Sequence, residues 1–563
     1  MAERAESATR PGIAVAGLAV TSALGRGTEA QLPPMLTGTP AFGPVNRFDA
    51  SPFRVQVAAT LPDVAELPVE LAVTIADACT DAGMGRPERA TTPLFLAVHG
   101  GAGVPALAAG LAEAGGLAGV GRVYTTACVS GTTALADVAA LIRAGRLQRA
   151  VVAAGYLVEP DQYALFDAGR ALAVDGVVRP FSRGRQGLLL GDAVVAVVLE
   201  SDRRLAERGR APVAEVVGWA RTGDAHHPCQ PAPDGRGLAR AIHQALDRAG
   251  IEPDCLGYIN ANASGAVLTD AAEAAAMQLA LGSTGARIPI SSSKSVHGHA
   301  LEASGLLEFA VTVLSLAEGK LGVNAGFLGP AADCPLDVIA DAPRQLTTPY
   351  AMTLNSAFGG ANTALVVAAP GTTRAPAAAG AGPVAARATA ETTWRVDTDG
   401  EPPAVPGFVQ SSFNPLAAAV ASRCLIEHFG EPEHAQDSRQ RTGLILVSRS
   451  GDQVSAETVS TIVAAGRRPG PLHFFQSVPN SIAGHIAAQW GLAGPVICLS
   501  PQGDPLAEGR SQAELVLADG DADQMLLIAL DQQPGAAETE FARARLLTTT
   551  SDAILPASEG ETA

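Results

Sequence analysis

The run "DAVVAVVLE", residues 192–200, most limits what this chain can fold into. It has the apolar continuity of a buried strand. Three companions read the same way: "GIAVAGLAV" (12–20), "PLFLAVHG" (93–100) and "RAVVAAG" (149–155). Further strands are expected at "CLGYINA" (255–261), "MTLNSA" (352–357) and "TALVVAA" (363–369). Between them, "GTTALADVAALIRAG" (131–145) and "GRGLARAIHQALDRAG" (235–250) read as helices that end at Gly. Strand–helix alternation over the first 365 or so residues implies a layered α/β architecture.

A chain of 563 residues allows two or more cores. Hydrophobic residues make up 47% and aromatics only 4%, so those cores are built from Ala, Val and Leu with close helix–sheet approaches. The formal net charge of −17 argues against nucleic acid or an anionic membrane surface as a partner. Seven cysteines (79, 128, 229, 255, 334, 424 and 498) form no CxxC pair and no metal spacing, which fits a reducing compartment. The start, "MAERAESATRPGIAVAGLAV", has a short apolar run and no clear cleavage site, and no 18-residue apolar span occurs. A soluble, cytoplasmic protein without a metal site is expected. "HGGAGVPALAAG" (99–110) is Gly-rich but lacks a phosphate-loop Lys-Ser/Thr and dinucleotide spacing.

The expected division is a main domain over 10–370, a low-complexity Ala/Pro/Gly/Thr linker over 371–403, a second folded segment over 404–547 and a disordered tail over 548–563. An internal repeat links the two folded parts. "GGLAGVGRVYTTAC" (115–128) resembles "WGLAGPVICLSPQG" (490–503) at an offset of 375, and "AGRLQRAVVAA" (144–154) falls on "DGDADQMLLIA" (519–529). The later segment reads as a truncated second copy of the first domain's opening half. Cys128 falls on Gly503, so the copy has lost that thiol.

Cys128 stands at a strand end, directly before a helix that starts near "VSGTT". A helix N-terminus lowers a thiol pKa, and its free N–H groups can hold a thioester oxyanion. A second cluster is "ISSSKSVHGHALEASGLLEFAV" (290–311), which holds Lys294, one of two lysines in the chain, and His299. Together they suggest thiolate chemistry with a nearby proton manager.

Over residues 10–370 these features resemble the β-ketoacyl-carrier-protein synthases, the ketosynthases of the thiolase superfamily. "GIAVAGLAVTSALGRGTEA", "GPVNRFDAS", "TTACVSG", "RPFSRGRQGLLLGDAVVAVVLE", "DAHHP" (224–228), "KSVHGHALEASG" and "NSAFGGAN" (355–362) follow the family's order, with Asp192 where Glu is usual. The resemblance implies a thiolase-like layered αβαβα fold of two related halves, followed by the smaller C-terminal α/β segment. It makes Cys128 the acyl-accepting nucleophile and matches His299 and Lys294 to the family's histidine and lysine. Phe358 matches the gating aromatic, Gly359 and Gly360 the loop at the oxyanion region, and "DAHHP" the substrate entrance. A homodimer that pairs the strand near the nucleophile is expected.

One departure stands out. Where the family has N-A-H-G-T-G-T, this chain reads "NANASGA" (260–266). Asn262 takes the place of the second catalytic histidine, with Ala263, Ser264 and Ala266 beside it. Asn donates and accepts hydrogen bonds but takes no proton near neutral pH. The resemblance then points to non-elongating ketosynthase-like cyclases, such as those that build salinosporamide-type γ-lactam–β-lactone cores. The expected reaction has no cofactor of its own. A β-ketoacyl chain on the phosphopantetheine of an acyl or peptidyl carrier protein passes to Cys128, closes by intramolecular aldol attack and leaves as a lactone. Two alternatives stay open: a decarboxylative extender with a Cys-His-Asn set, and a non-catalytic partner like a chain-length factor.

Overall fold

The structure, a computed structural model, describes residues 11–372, 384–432, 441–478, 480–532 and 541–550. The apolar runs form strands. In the first unit these are β1 (Ile13–Ser22), β2 (Leu94–Ala97), β3 (Val120–Tyr124), β4 (Arg149–Tyr156) and β5 (Ala193–Ser201). In the second they are β6 (Ala214–Gly223), β7 (Leu256–Asn260), β8 (Ile290–Ser291), β9 (Tyr350–Ser356) and β10 (Ala361–Ala368). The first unit is ordered β1-β5-β4-β2-β3 and the second β6-β10-β9-β7-β8, the same order twice, joined by antiparallel β1 and β6. The helices that pack on them include α1 (Leu67–Asp81), α2 (Val104–Ala114) and α3 (Ser130–Arg143) in the first unit, and α4 (Arg236–Ala249), α5 (Val267–Gly285) and α6 (Ser304–Glu318) in the second. Helix α3 is buried from Ser130 to Ile142, α6 is nearly as buried, and the two pack together as the central layer. This is the two-half αβαβα arrangement expected from the sequence.

The C-terminal part departs from expectation. Among the described residues it holds five strands, β11 (Ala386–Arg395), β12 (Thr442–Val447), β13 (Val496–Leu499), β14 (Gln524–Leu530) and β15 (Phe541–Thr549), ordered β11-β15-β14-β12-β13. That is the order of the other two units, so the segment has a full set of half-unit strands rather than a truncated one. Its first strand lies inside the expected linker 371–403. There Ala386 and Ala390 are buried, and β11 pairs with β15 over nearly its whole length. Helix α7 (Phe413–Phe429) covers this pair, while α8 (Ser481–Trp490) and α9 (Pro505–Asp519) follow. Strand β15 reaches Thr549, past the expected boundary at 547; the rest of the expected tail, 551–563, lies outside the described residues. Among the described residues no helix is long and apolar enough to cross a membrane.

The third unit joins the first through its edge strand. β13 runs antiparallel to β3, with Leu499 opposite Tyr124. Thr125 N–H donates to Cys498 O at 2.9 Å, and Ser500 N–H to Val123 O at 3.1 Å. At the 375-residue offset Tyr124 falls on Leu499 and Val123 on Cys498, so a local twofold axis passes through the pair. The strand that the resemblance assigns to a homodimer contact is thus occupied within the chain. Buried charge reinforces the junction. Arg221 of β6 binds Asp137 of α3, Asp519 of α9, and Asp521 at 2.7 Å. Asp519 also accepts from Trp219 Nε1 at 2.7 Å.

Removing one member of a buried ion network leaves the others uncompensated, which costs about 3–5 kcal/mol. Arg221→Ala removes the cation that joins Asp137 to Asp519 and Asp521, and leaves Arg248 to the last two alone. Urea denaturation is expected to show a loss of that size. A change below about 1 kcal/mol would mean the network is not what holds the third unit down.

Candidate active site

β3 ends in a tight turn. Ala127 adopts φ 48°, a backbone region costly for an L-residue, and the short 3-10 turn Ala127–Val129 leads straight into α3. This places Cys128 at the floor of a cavity of about 510 Å³. The other walls bring His299, Asn262, Ser264 and Phe358 to the same space. Five of the residues singled out in the sequence therefore meet in one cavity.

The three remaining residues sit outside it. Lys294 stands directly behind Asn262. It is fully buried, ion-paired with Glu308, and donates from Nζ to Asn262 Oδ1 at 3.1 Å. Asn355 Nδ2 also donates to Glu308. Gly359 and Gly360 lie behind the Phe358 wall, at φ 77° and 72°. A side chain at Gly359 would collide with Asn480, and one at Gly360 would press on Asp224. Asp224 of the "DAHHP" stretch belongs to the cavity wall and accepts from Asn362 Nδ2 at 2.8 Å.

Hydrogen bonds fix what each group presents. His299 Nδ1 accepts from Leu301 N–H at 3.1 Å and from Ser304 Oγ at 2.9 Å, so the ring proton is assigned to Nε2. Burial, with Lys294 adding to it, holds the imidazole well below its usual pKa, and it is neutral. Asn262 Oδ1 is taken by Lys294, which leaves Nδ2 as its group for the cavity. Both side chains are therefore donors, and neither is poised to accept a proton.

The thiol corrects an expectation. The helix N-terminus does not make Cys128 a resting thiolate. Burial above all, with Glu302 and Glu308 adding to it against the opposing pull of Lys294, pushes its pKa up to about 12. Desolvation at this depth outweighs a helix end.

Several site residues escaped sequence reasoning. Glu273 lines the cavity, and its Oε1 accepts Asn262 N–H at 2.8 Å, while its Oε2 has no partner among the described residues. Phe474 arrives from the third unit. It packs edge-on to Phe166 (5.0 Å between ring centroids) and to Phe358 (5.3 Å), completing one cavity wall. Asn480 donates to Phe358 O. In the same unit His485 packs on Phe408.

Burial lifts the Glu273 pKa to about 8, above its ordinary carboxyl value. The folded state thus keeps a proton that the unfolded state has lost, and stability falls as pH rises from about 5 to about 8. Glu273→Gln mimics the protonated form. Its melting temperature relative to wild type is expected to rise across that window. A difference that stays constant with pH would place Glu273 in the ordinary carboxylate range.

Comparison with known proteins gives a consistent result. Residues 88–204 match a family model described as "Beta-ketoacyl synthase, N-terminal domain", and 213–327 match the corresponding C-terminal domain. A second N-terminal-domain model of the same enzymes matches 431–561. The 3-oxoacyl-[acyl-carrier-protein] synthase 2 of Staphylococcus aureus is 32% identical over 290 residues, 50% of this chain and 71% of that protein. The ishigamide ketosynthase/chain length factor is 26% identical with TM-score 0.60, over 64% of this chain and 99% of that one. The PfaC keto synthase–chain length factor, at 14% identity, shares the fold with TM-score 0.80 over 96% of this chain and 79% of its own.

Proposed function

The chain belongs to the β-ketoacyl synthase family, and we propose that it is a non-elongating member that cyclises and releases its acyl chain. In this reading a carrier protein delivers a β-ketoacyl thioester, of polyketide or hybrid polyketide–peptide origin, on its phosphopantetheine arm. Cys128 takes the acyl group, and its proton leaves with the carrier thiol. His299 Nε2–H and Asn262 Nδ2–H hold the oxygen that gains charge when the chain enolises. The enolate carbon attacks a carbonyl further along the same chain. The new alkoxide then attacks the Cys128 thioester and frees a lactone.

The observation that carries this reading is the fixed amide of Asn262. Lys294 holds its Oδ1, so the position presents a donor that cannot change protonation state. Such a group stabilises an enolate generated within the chain. The 510 Å³ cavity, closed on one side by Phe358 and Phe474, has room for a folded-back chain. The third unit lacks a thiol at the matching Gly503 and lends Phe474 and Asn480 to the first site. We assign it the place of a partner built into the chain, which the likeness to a ketosynthase–chain length factor over nearly its full length supports.

Intact-protein mass spectrometry with an acyl-carrier donor and carboxyl-labelled malonyl-carrier tests the reading. Wild type is expected to gain the acyl mass, Cys128→Ala not to, and no labelled CO2 to appear. Labelled CO2 with a chain longer by two carbons would mean that Asn262 serves ordinary condensation. Full pathway output from Cys128→Ala would point instead to a non-catalytic partner.

A further inference from the structure

The two halves of the main domain each carry a strained elbow, and the two elbows face each other. In the first, Thr126 (φ −81°, ψ 39°) precedes Ala127 at φ 48°, and α3 starts at Ser130 (φ −54°, ψ −49°). In the second, Ala300 (φ −97°, ψ 33°) precedes Leu301 at φ 41°, and α6 starts at Ser304 (φ −51°, ψ −48°). The chain reads A-C-V-S-G in one and L-E-A-S-G in the other. Glu302 therefore occupies in the second half the position that Cys128 occupies in the first. The turns are packed together, and Glu302 is the nearby charge that bears most strongly on the thiol.

The surroundings of Glu302 are those of a working carboxylate. It is buried. Its Oε1 lies 2.9 Å from Nδ1 of His99, whose side chain opens onto a second cavity of about 240 Å³ between the first and third units. Burial works against charge on His99, but Glu302 outweighs it and holds the imidazole above its usual pKa. Oε2 is buried without a partner among the described residues, as is the nearby Tyr156 hydroxyl. The charge of Glu159 acts on both His99 and Tyr156, and Asp192 and Arg47 act on Tyr156 as well.

A carbanion formed without loss of CO2 requires a base, and the groups that line the acyl cavity do not supply one. His299 and Asn262 present N–H groups, Lys294 is tied to Glu308, both oxygens of Asp224 are taken, by Asn362 and the Ala232 N–H, and Glu273 holds a proton at neutral pH. We propose that Glu302 is the general base for the acyl chain on Cys128, a step that rests on the cyclising reading above. The C2–H bond between the two carbonyls breaks, its proton passes to Glu302 Oε2, and the electron pair moves to the oxygen held by His299 and Asn262. After ring closure the alkoxide displaces the Cys128 sulfur. The departing thiolate takes the proton back from Glu302, so thiol and carboxylate are both restored. His99 is a positioning residue that keeps Oε1 occupied and leaves Oε2 as the oxygen that takes the proton.

The test uses full-length protein loaded at Cys128 from the pantetheine thioester of 2-methylacetoacetate. That chain has one proton between its carbonyls and no further carbonyl to attack. Loaded wild type, Glu302→Gln and Glu302→Asp are transferred to D2O, and the Cys128 peptide is weighed over time. Deuterium is expected to enter C2 in wild type at least about 100-fold faster than in Glu302→Gln. Glu302→Asp, which keeps a carboxylate, is expected to retain part of the wild-type rate, while the Glu302→Gln rate follows hydroxide, about tenfold per pH unit. Equal rates in wild type and Glu302→Gln overturn the assignment. If Glu302→Gln does not fold, a wild-type rate that itself follows hydroxide, about tenfold per pH unit, overturns it equally. Glu302-dependent exchange without ring closure of a cyclisable chain would sink the cyclising reading and leave the base in place.

Discussion

The pairing of β3 with β13 is the contact on which the rest of the molecule depends. β3 delivers Cys128, so its outer edge sits a few residues from the chemistry. An edge strand left open exposes unpaired N–H and C=O groups and invites association. Here the chain closes that edge with its own third unit, strand against matching strand about a local twofold axis. The consequences spread from this seam. The buried Arg221 network follows from bringing α9 beside α3. The same docking brings Phe474 between Phe166 and Phe358 and sets Asn480 against the Phe358–Gly360 loop. The wall of the acyl cavity is therefore continuous with the junction between units.

Within that frame the site is organised around neutral donors and hidden charge. The Lys294–Glu308 pair is too deep to meet substrate, yet it decides which end of the Asn262 amide faces the cavity. Ser304 and the Leu301 amide decide the tautomer of His299. A thiol held this far from its ionised form acts by exchange with an incoming thioester rather than as a standing thiolate. Its weak acidity also favours the return of a proton at the end of the cycle.

Most of the first two units was legible in the sequence, because apolar runs such as "AVVAVVLE" have one physical solution, a strand covered on both faces. Strand β11 was not. "ARATAETTWR" buries only Ala386 and Ala390, and its Ala/Thr composition merges with the Ala/Pro/Gly stretch before it. Backbone pairing to β15, some 150 residues on, makes it a strand, and no local window records that. The residues meeting at the cavity were readable because Cys, His and Asn stood in ordered motifs. Phe474 was not, since its arrival depends on how the third unit docks. Glu302 stands in the motif around His299, where residue type alone gives it no role. Its meaning lies in the φ of Leu301 and in the match between two elbows, neither of which residue type conveys. The thiol pKa was misjudged because a helix end is visible in sequence and desolvation is not.

The most direct measurement of the central claim is a crystal structure of the protein acylated at Cys128 by a 2,2-dimethyl-3-oxoacyl chain, which cannot enolise at C2 and so stays in place. The account predicts a thioester at Cys128 with its carbonyl oxygen within hydrogen-bond distance of His299 Nε2 and Asn262 Nδ2. It also predicts the dimethylated carbon on the Glu302 side. An acyl chain whose oxygen turns away from Asn262, or an unmodified Cys128 beneath a chain held elsewhere, would contradict it.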